Sequence, residues 1–167
     1  MRQANRNGCI ARNDGVMASD TEIPRDDPRK VSQYMLDRSG HAIMAGDLTL
    51  YLSCFILPHR IQTFEGQRVV TDTPALTDIF HEVRRNLLRL GATTLERRCT
   101  QAVFLAPDRV RAHHESRILS GTQIVLRPFP ALTELHFVNS DWRVGDCQYA
   151  IADVPLLVEA LLGEKKG

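Results

Sequence analysis

Ala45-Gly46-Asp47-Leu48 and, far downstream, Asp141-Trp142-Arg143-Val144 bracket the stretch whose reading decides the fold. Upstream of the first tetrapeptide, Val31, Met35, Ser39, Ala42 and Ile43 recur at helical spacing, with Arg29, Lys30, Asp37 and Arg38 on other sides, so a helix runs from Asp27 until Gly46 stops it. Asp47 can cap a second helix, Leu48 to Leu57, whose Leu50-Tyr51-Leu52 and Cys54-Phe55-Ile56-Leu57 runs imply burial on several sides. Pro58 ends it.

Downstream, His59 to Phe64 and Gln67 to Thr71 read as two short strands around a Glu65-Gly66 turn. Thr73-Pro74 then supplies an N-cap and first-turn pair for a third helix, whose stripe is Leu76, Ile79, Phe80, Val83, Leu87 and Leu90. Its other side, His81, Arg84, Arg85 and Arg89, reads as a solvated face rather than an anion site. Beyond Gly91 the period becomes two: strands cover Leu95 to Leu105, Arg109 to Leu119, Gln123 to Val138 and Trp142 to Ile151. Arg127-Pro128-Phe129-Pro130 cannot sit in a central ladder, because proline donates no hydrogen bond, and is expected at an edge, bulge or pocket rim. Pro155 to Leu162 reads as a short terminal helix.

The 167 residues suit one domain, placed at residues 30–167, with residues 1–29 expected to form a disordered extension ending in Pro24-Arg25-Asp26-Asp27-Pro28. Met17 offers an alternative start. A net charge of +1 argues against nucleic acid or an anionic membrane as partner. No apolar run is long enough for a membrane span. Cys9, Cys54, Cys99 and Cys147 lack the paired spacing of zinc or redox motifs, and a reducing, cytoplasmic setting is expected.

This order of elements, together with Ala45-Gly46-Asp47-Leu48, Phe55-x-x-Pro58 and Asp141-Trp142-Arg143-Val144, resembles the nuclear transport factor 2-like superfamily over residues 30–153, in particular its SnoaL-like and ketosteroid-isomerase-like branch. The resemblance implies an α+β fold: a cone-shaped, bent antiparallel sheet wrapped around three helices, a cystatin-like barrel with an internal cavity. It also implies a homodimer formed through the convex sheet face. Cys147, Tyr149 and Ile151 on one side of the last strand, and Trp142 and Val144 on the other, fit burial on both sides. Ketosteroid isomerase relatives carry a carboxylate near the end of the first strand and a tyrosine before the Gly-Asp. Here those neighbourhoods read Thr63-Phe64-Glu65 and Arg38-Ser39-Gly40, which disfavours steroid isomerisation.

Alternation turns Val110, Ala112, His114, Ser116 and Ile118 inward, so a neutral His114 could act as general base or bind a ligand. His59, on the same face as Ile61 and Thr63, is the second catalytic candidate. A pair of imidazoles would resemble the acid-base equipment of some dehydratases in the superfamily. The ordinary alternatives are a core histidine satisfied by a carbonyl and an exposed corner histidine. Tyr34, Thr63, Phe64, Ser116, Phe129 and Trp142 are the candidate ligand contacts, with Trp142 equally suited to plain core packing.

His113 and His114 point to opposite faces, so no metal centre is expected. Neither a glycine-rich phosphate loop nor a serine-nucleophile elbow is present, and no cofactor is expected. The reading is thus of a protein that binds a small apolar organic molecule, with cofactor-independent cyclisation, dehydration or isomerisation as the chemistry such a pocket suits. The alternative is a noncatalytic binding or dimerisation module.

Overall fold

The computed structural model describes residues 22–163. The extension expected over residues 1–29 therefore falls mainly outside the described residues. Within them, Ile23 packs against the core, and the Pro24 carbonyl accepts the Trp142 indole N–H at 2.8 Å.

Helix α1 (Pro28–Ala45) begins at Asp27, whose carboxylate accepts the Arg29 and Lys30 N–H groups, and ends at Gly46. Its last carbonyls, Ile43 and Met44, accept Arg84 Nη1 at 2.6 and 2.8 Å, so Arg84 is not part of a solvated face but a cation on a helix C-terminus. Asp47 caps α2 (Leu48–Ser53) as expected, but the helix stops four residues early. Phe55 already belongs to β1 (Phe55–Thr63), paired with Val144, while the Cys54 carbonyl accepts the Val144 N–H at 2.7 Å. Pro58 lies inside β1, in the stretch between Phe55 and Arg60 where the register shifts, so its missing N–H costs no ladder bond.

A tight turn leads to β2 (Gly66–Val70), and α3 (Thr73–Arg89) follows, capped by Asp72 rather than Thr73. Strands β3 (Thr94–Ala106), β4 (Arg109–Ser120), β5 (Gln123–Val138) and β6 (Asp141–Tyr149) complete one sheet, and α4 (Pro155–Leu162) closes the described chain. The strand order is β2-β1-β6-β5-β4-β3.

The β1–β6 pairing is parallel, so the sheet is mixed where pure antiparallel pairing was expected, and β2 and β3 remain free edges, so it is not a closed barrel. Repeated bulges, at Cys99/Gln101, Ser116/Ile118 and Glu134/Leu135, bend it around the helices. The Pro-Phe-Pro segment sits beside the second of these. β6 pairing stops at Ala131, so residues before Pro130 have β4 on one side and no strand on the other.

The bulge at Gly145 also changes the reading of β6. Trp142, Val144, Cys147 and Tyr149 all join one interior cluster, leaving Arg143, Asp146 and Gln148 between them, so burial on both sides is not what this strand records.

The core has two lobes. One gathers Ile43, Tyr51, Phe80, Leu87, Ile118 and Ile151 with α4. The other gathers Val31, Met35, Val110, Leu135 and Trp142. Four helices, not three, pack against the sheet, because α4 contributes Leu157 and Leu161 to the first lobe.

Candidate functional site

An internal cavity of about 80 Å³ opens in the first lobe. Ile43 from α1, Val83 and Leu87 from α3, Leu157 and Leu161 from α4, and Ile118 from β4 form its apolar wall. Its polar side carries Ser39, Tyr51, Arg97, Ser116 and Tyr149. A second void of about 30 Å³ lies toward the other lobe, and Ser39, Phe55, Arg97 and Tyr149 line both. The two lobes thus meet at a buried polar seam.

Arg97 dominates that seam. Strand alternation carries Leu95 and Arg97 to the inner side of β3, and the guanidinium reaches α1, where Nη2 donates to the Leu36 carbonyl and to Ser39 Oγ at 2.7 Å. Ser39 Oγ in turn donates to the Met35 carbonyl at 2.7 Å. A Cβ on Gly40 would stand 3.0 Å from Arg97 Nη2, so the bare glycine backbone is what lets the guanidinium lie against the helix. Arg97 Nε is buried and has no hydrogen-bond partner.

Inside the seam, the ionisable groups whose charges would bear most on Arg97 are Tyr149, Cys147, Tyr51 and Cys54. Burial raises the pKa of each, that of Cys54 up to about 11, so all four are neutral near pH 7. Burial also lowers the Arg97 pKa, but a guanidinium stays protonated in proteins. Among the described residues, no carboxylate forms an ion pair with it.

His114 is buried in the seam, its Nδ1 3.4 Å from Thr133 Oγ1 and its Nε2 without a partner. Burial first, then the Arg97 and His113 charges, push its pKa down to about 3. It is therefore a neutral imidazole and a very weak base. His59 is buried elsewhere: Nδ1–H donates to the Gly145 carbonyl at 2.9 Å, and the ring stands edge-on to Phe55. Burial lowers its pKa too, although the Gly145 carbonyl and Asp146 oppose this. Their strands, β1 and β4, are separated by β6 and β5, about 14 Å along the sheet at ordinary strand spacing. Neither imidazole lines the cavity.

Of the six candidate ligand contacts, the structure brings Ser116 and Phe129 together on the cavity wall, paired across β4 and β5. The other four lie elsewhere. Tyr34 OH stands 3.2 Å from Asp141 Oδ1 and accepts from Arg38, which is paired with Asp141. Thr63 Oγ1 accepts the Glu65 N–H at the β1–β2 turn, and Phe64 beside it is 72% exposed. Trp142 fills the second lobe, where it has no exposure.

Sequence reasoning passed over Arg97, Ser39, Tyr51 and Tyr149. The available signal was the inward phase of Leu95-x-Arg97, which puts a charge where alternation demands an apolar side chain.

On the opposite face of the sheet, ligand atoms of Glu134, His136 and Asp146 lie within 4.8 Å of one another. Arg109 and Arg111 pair with Glu134, and Arg60 pairs with Asp146. The carboxylates are thereby neutralised, and the group is an ion-pair network on a polar sheet face.

A curved sheet enclosing helices and a small interior cavity is the nuclear transport factor 2-like, or cystatin-like, fold. The comparison with solved structures agrees. A function-unknown protein from Mycobacterium tuberculosis superposes with a TM-score of 0.59 at 14% identity, over 80% of this chain and 91% of that one. A nuclear transport factor 2-like protein of unknown function from Shewanella oneidensis gives 0.58 at 9% identity, over 72% and 96%. A cystatin-like-fold protein from Nostoc punctiforme gives 0.57 at 16%, over 75% and 92%. No family model and no curated protein matches the chain. No helix among the described residues is long and apolar enough to cross a membrane.

Proposed function

We propose that this chain binds a small, largely apolar organic molecule in the cavity between the sheet, α1, α3 and α4, as a SnoaL-like member of its fold class. One observation carries the reading: a largely apolar chamber whose polar side carries the Arg97 guanidinium beside Ser39, Tyr51, Ser116 and Tyr149. Such a combination of apolar walls and few placed polar groups is the general form of a ligand site. The chamber is well below the roughly 300 Å³ at which drug-sized sites begin, so the ligand is small.

Binding suits the geometry better than proton transfer. His114, with a pKa of about 3 and no cavity surface, is a poor general base at neutral pH. The reading extends to a single domain over residues 30–167, a cytoplasmic setting supported by the free thiols of Cys54, Cys99 and Cys147, and a homodimer, whose sheet interface would be polar.

Native mass spectrometry of the purified protein, before and after denaturing extraction, tests the ligand. A retained organic molecule that is lost from Val83→Phe, a substitution that fills the chamber, supports the reading. Retention by a still-folded Val83→Phe places the ligand elsewhere and overturns it.

A further inference from the structure

We propose that the molecule bound in this chamber is an organic anion, a short monocarboxylate whose head group meets Arg97 and whose apolar tail lies among Ile43, Val83, Leu87 and Ile118. The proposal rests on the cavity reading above and adds the ligand's charge and orientation.

A guanidinium removed from water normally sits beside a carboxylate, because an uncompensated buried ion is costly. Arg97 is half-buried: it lies against α1, lines both voids and also edges an outer polar groove that carries Asp37, Glu96 and Glu115, yet among the described residues no carboxylate pairs with it. Its protein acceptors, the Leu36 carbonyl and Ser39 Oγ, are neutral and both engage Nη2. A cation held by neutral acceptors at the wall of an apolar chamber is complementary to an anionic oxygen.

The surroundings support the same polarity. Ser116, Tyr51 and Tyr149 share this wall, and hydroxyl groups can donate to a carboxylate oxygen. No Asp or Glu lines either void; Asp37, Glu96 and Glu115 lie in the outer groove instead. Chamber size limits the tail to a few carbons or one ring. A neutral amide of the same shape would fit the walls equally well but would gain only a neutral hydrogen bond from Arg97, so the two classes separate shape from charge.

The experiment measures binding of butanoate, hexanoate and benzoate, and of butanamide, hexanamide and benzamide, by ligand-observed NMR on the full chain at pH 7. The proposal expects at least one carboxylate to bind about tenfold or more tightly than its amide, the advantage of a charge-assisted bond. It also expects that preference to vanish in Arg97→Gln and to survive in part in Arg97→Lys. Equal binding of acid and amide by the unaltered protein overturns the anion assignment while leaving the cavity reading intact. Absence of binding by both classes overturns the two together. Because the acid-to-amide ratio is read on the unaltered protein, the test stands even if an Arg97 variant fails to fold.

Discussion

The His136 ring fills the space a side chain on Gly145 would need across the β5–β6 ladder: a Cβ built on Gly145 would fall 2.9 Å from both Cδ2 and Nε2 of the ring. Gly145 also presents its carbonyl to His59 and forms the bulge that keeps Val144 and Cys147 on one face. Gly145→Ala should therefore destabilise the fold by about 1–3 kcal/mol, the usual cost of overpacking. Adding His136→Ala should recover most of that loss. Urea denaturation of the four members of this double-mutant cycle measures the coupling, and additive losses would show that the ring is not the obstacle.

Much of the fold was legible because it is written locally. The stripe of α3, the alternation of β4 and the bounds of α4 follow from short-range periodicity, and each matches the structure closely. Phe55-Ile56-Leu57 was misread because a short apolar run suits a buried helix or strand equally, and its partner Val144 is far away in sequence. The bulge at Gly145 was invisible for a related reason: one extra residue shifts the phase of everything beyond it without altering composition. In the site, Ser116 and Phe129 could be found by phase and by a proline-marked rim. Arg97 could not be found by expecting apolar residues inward, since it is the exception to that rule.

Gln33 finishes the open edge of β3. Its carboxamide oxygen accepts the Cys99 N–H at 3.0 Å and its nitrogen donates to the Arg97 carbonyl at 2.9 Å, the two bonds a neighbouring strand would make. Gln33→Ala should cost about 1–2 kcal/mol and speed exchange of the Cys99 amide by about tenfold. Hydrogen-exchange NMR reads both quantities; unchanged protection at Cys99 would mean that α1 packing alone shields the edge.

The Trp142 indole holds the chain before α1 through the Pro24 carbonyl, and the Arg25 guanidinium lies 3.5 Å from the centre of the Phe137 ring. Trp142→Phe keeps an aromatic ring in the second lobe but removes the donor. Limited trypsin digestion should then cut after Arg25 about fivefold faster, equivalent to about 1 kcal/mol of local opening. A rate equal to that of the unaltered protein would assign the docking to Ile23 and Arg25 instead.

His114 should make the fold sensitive to mild acid. Its folded pKa, about 3, lies below the ordinary value of 6.5, so above pH 6.5 both states are neutral and the histidine contributes no pH dependence. As pH falls below 6.5, the unfolded chain takes up a proton that the folded chain refuses, and stability declines by up to about 1.4 kcal/mol per pH unit until the folded pKa is reached. His59, also lowered by burial, acts in the same direction. Carboxylates begin to titrate in the lower part of this window, so the informative quantity is the difference between the unaltered protein and His114→Gln. Urea midpoints measured from pH 7 to pH 4.5 should fall less steeply in the variant. A carboxylate bound at Arg97 would offset the positive charge that helps keep His114 neutral, and should raise its pKa, which a histidine NMR titration with and without benzoate measures directly. Identical slopes for the two proteins would mean that His114 takes up its proton in the folded state, and that the seam is wetter than its burial implies.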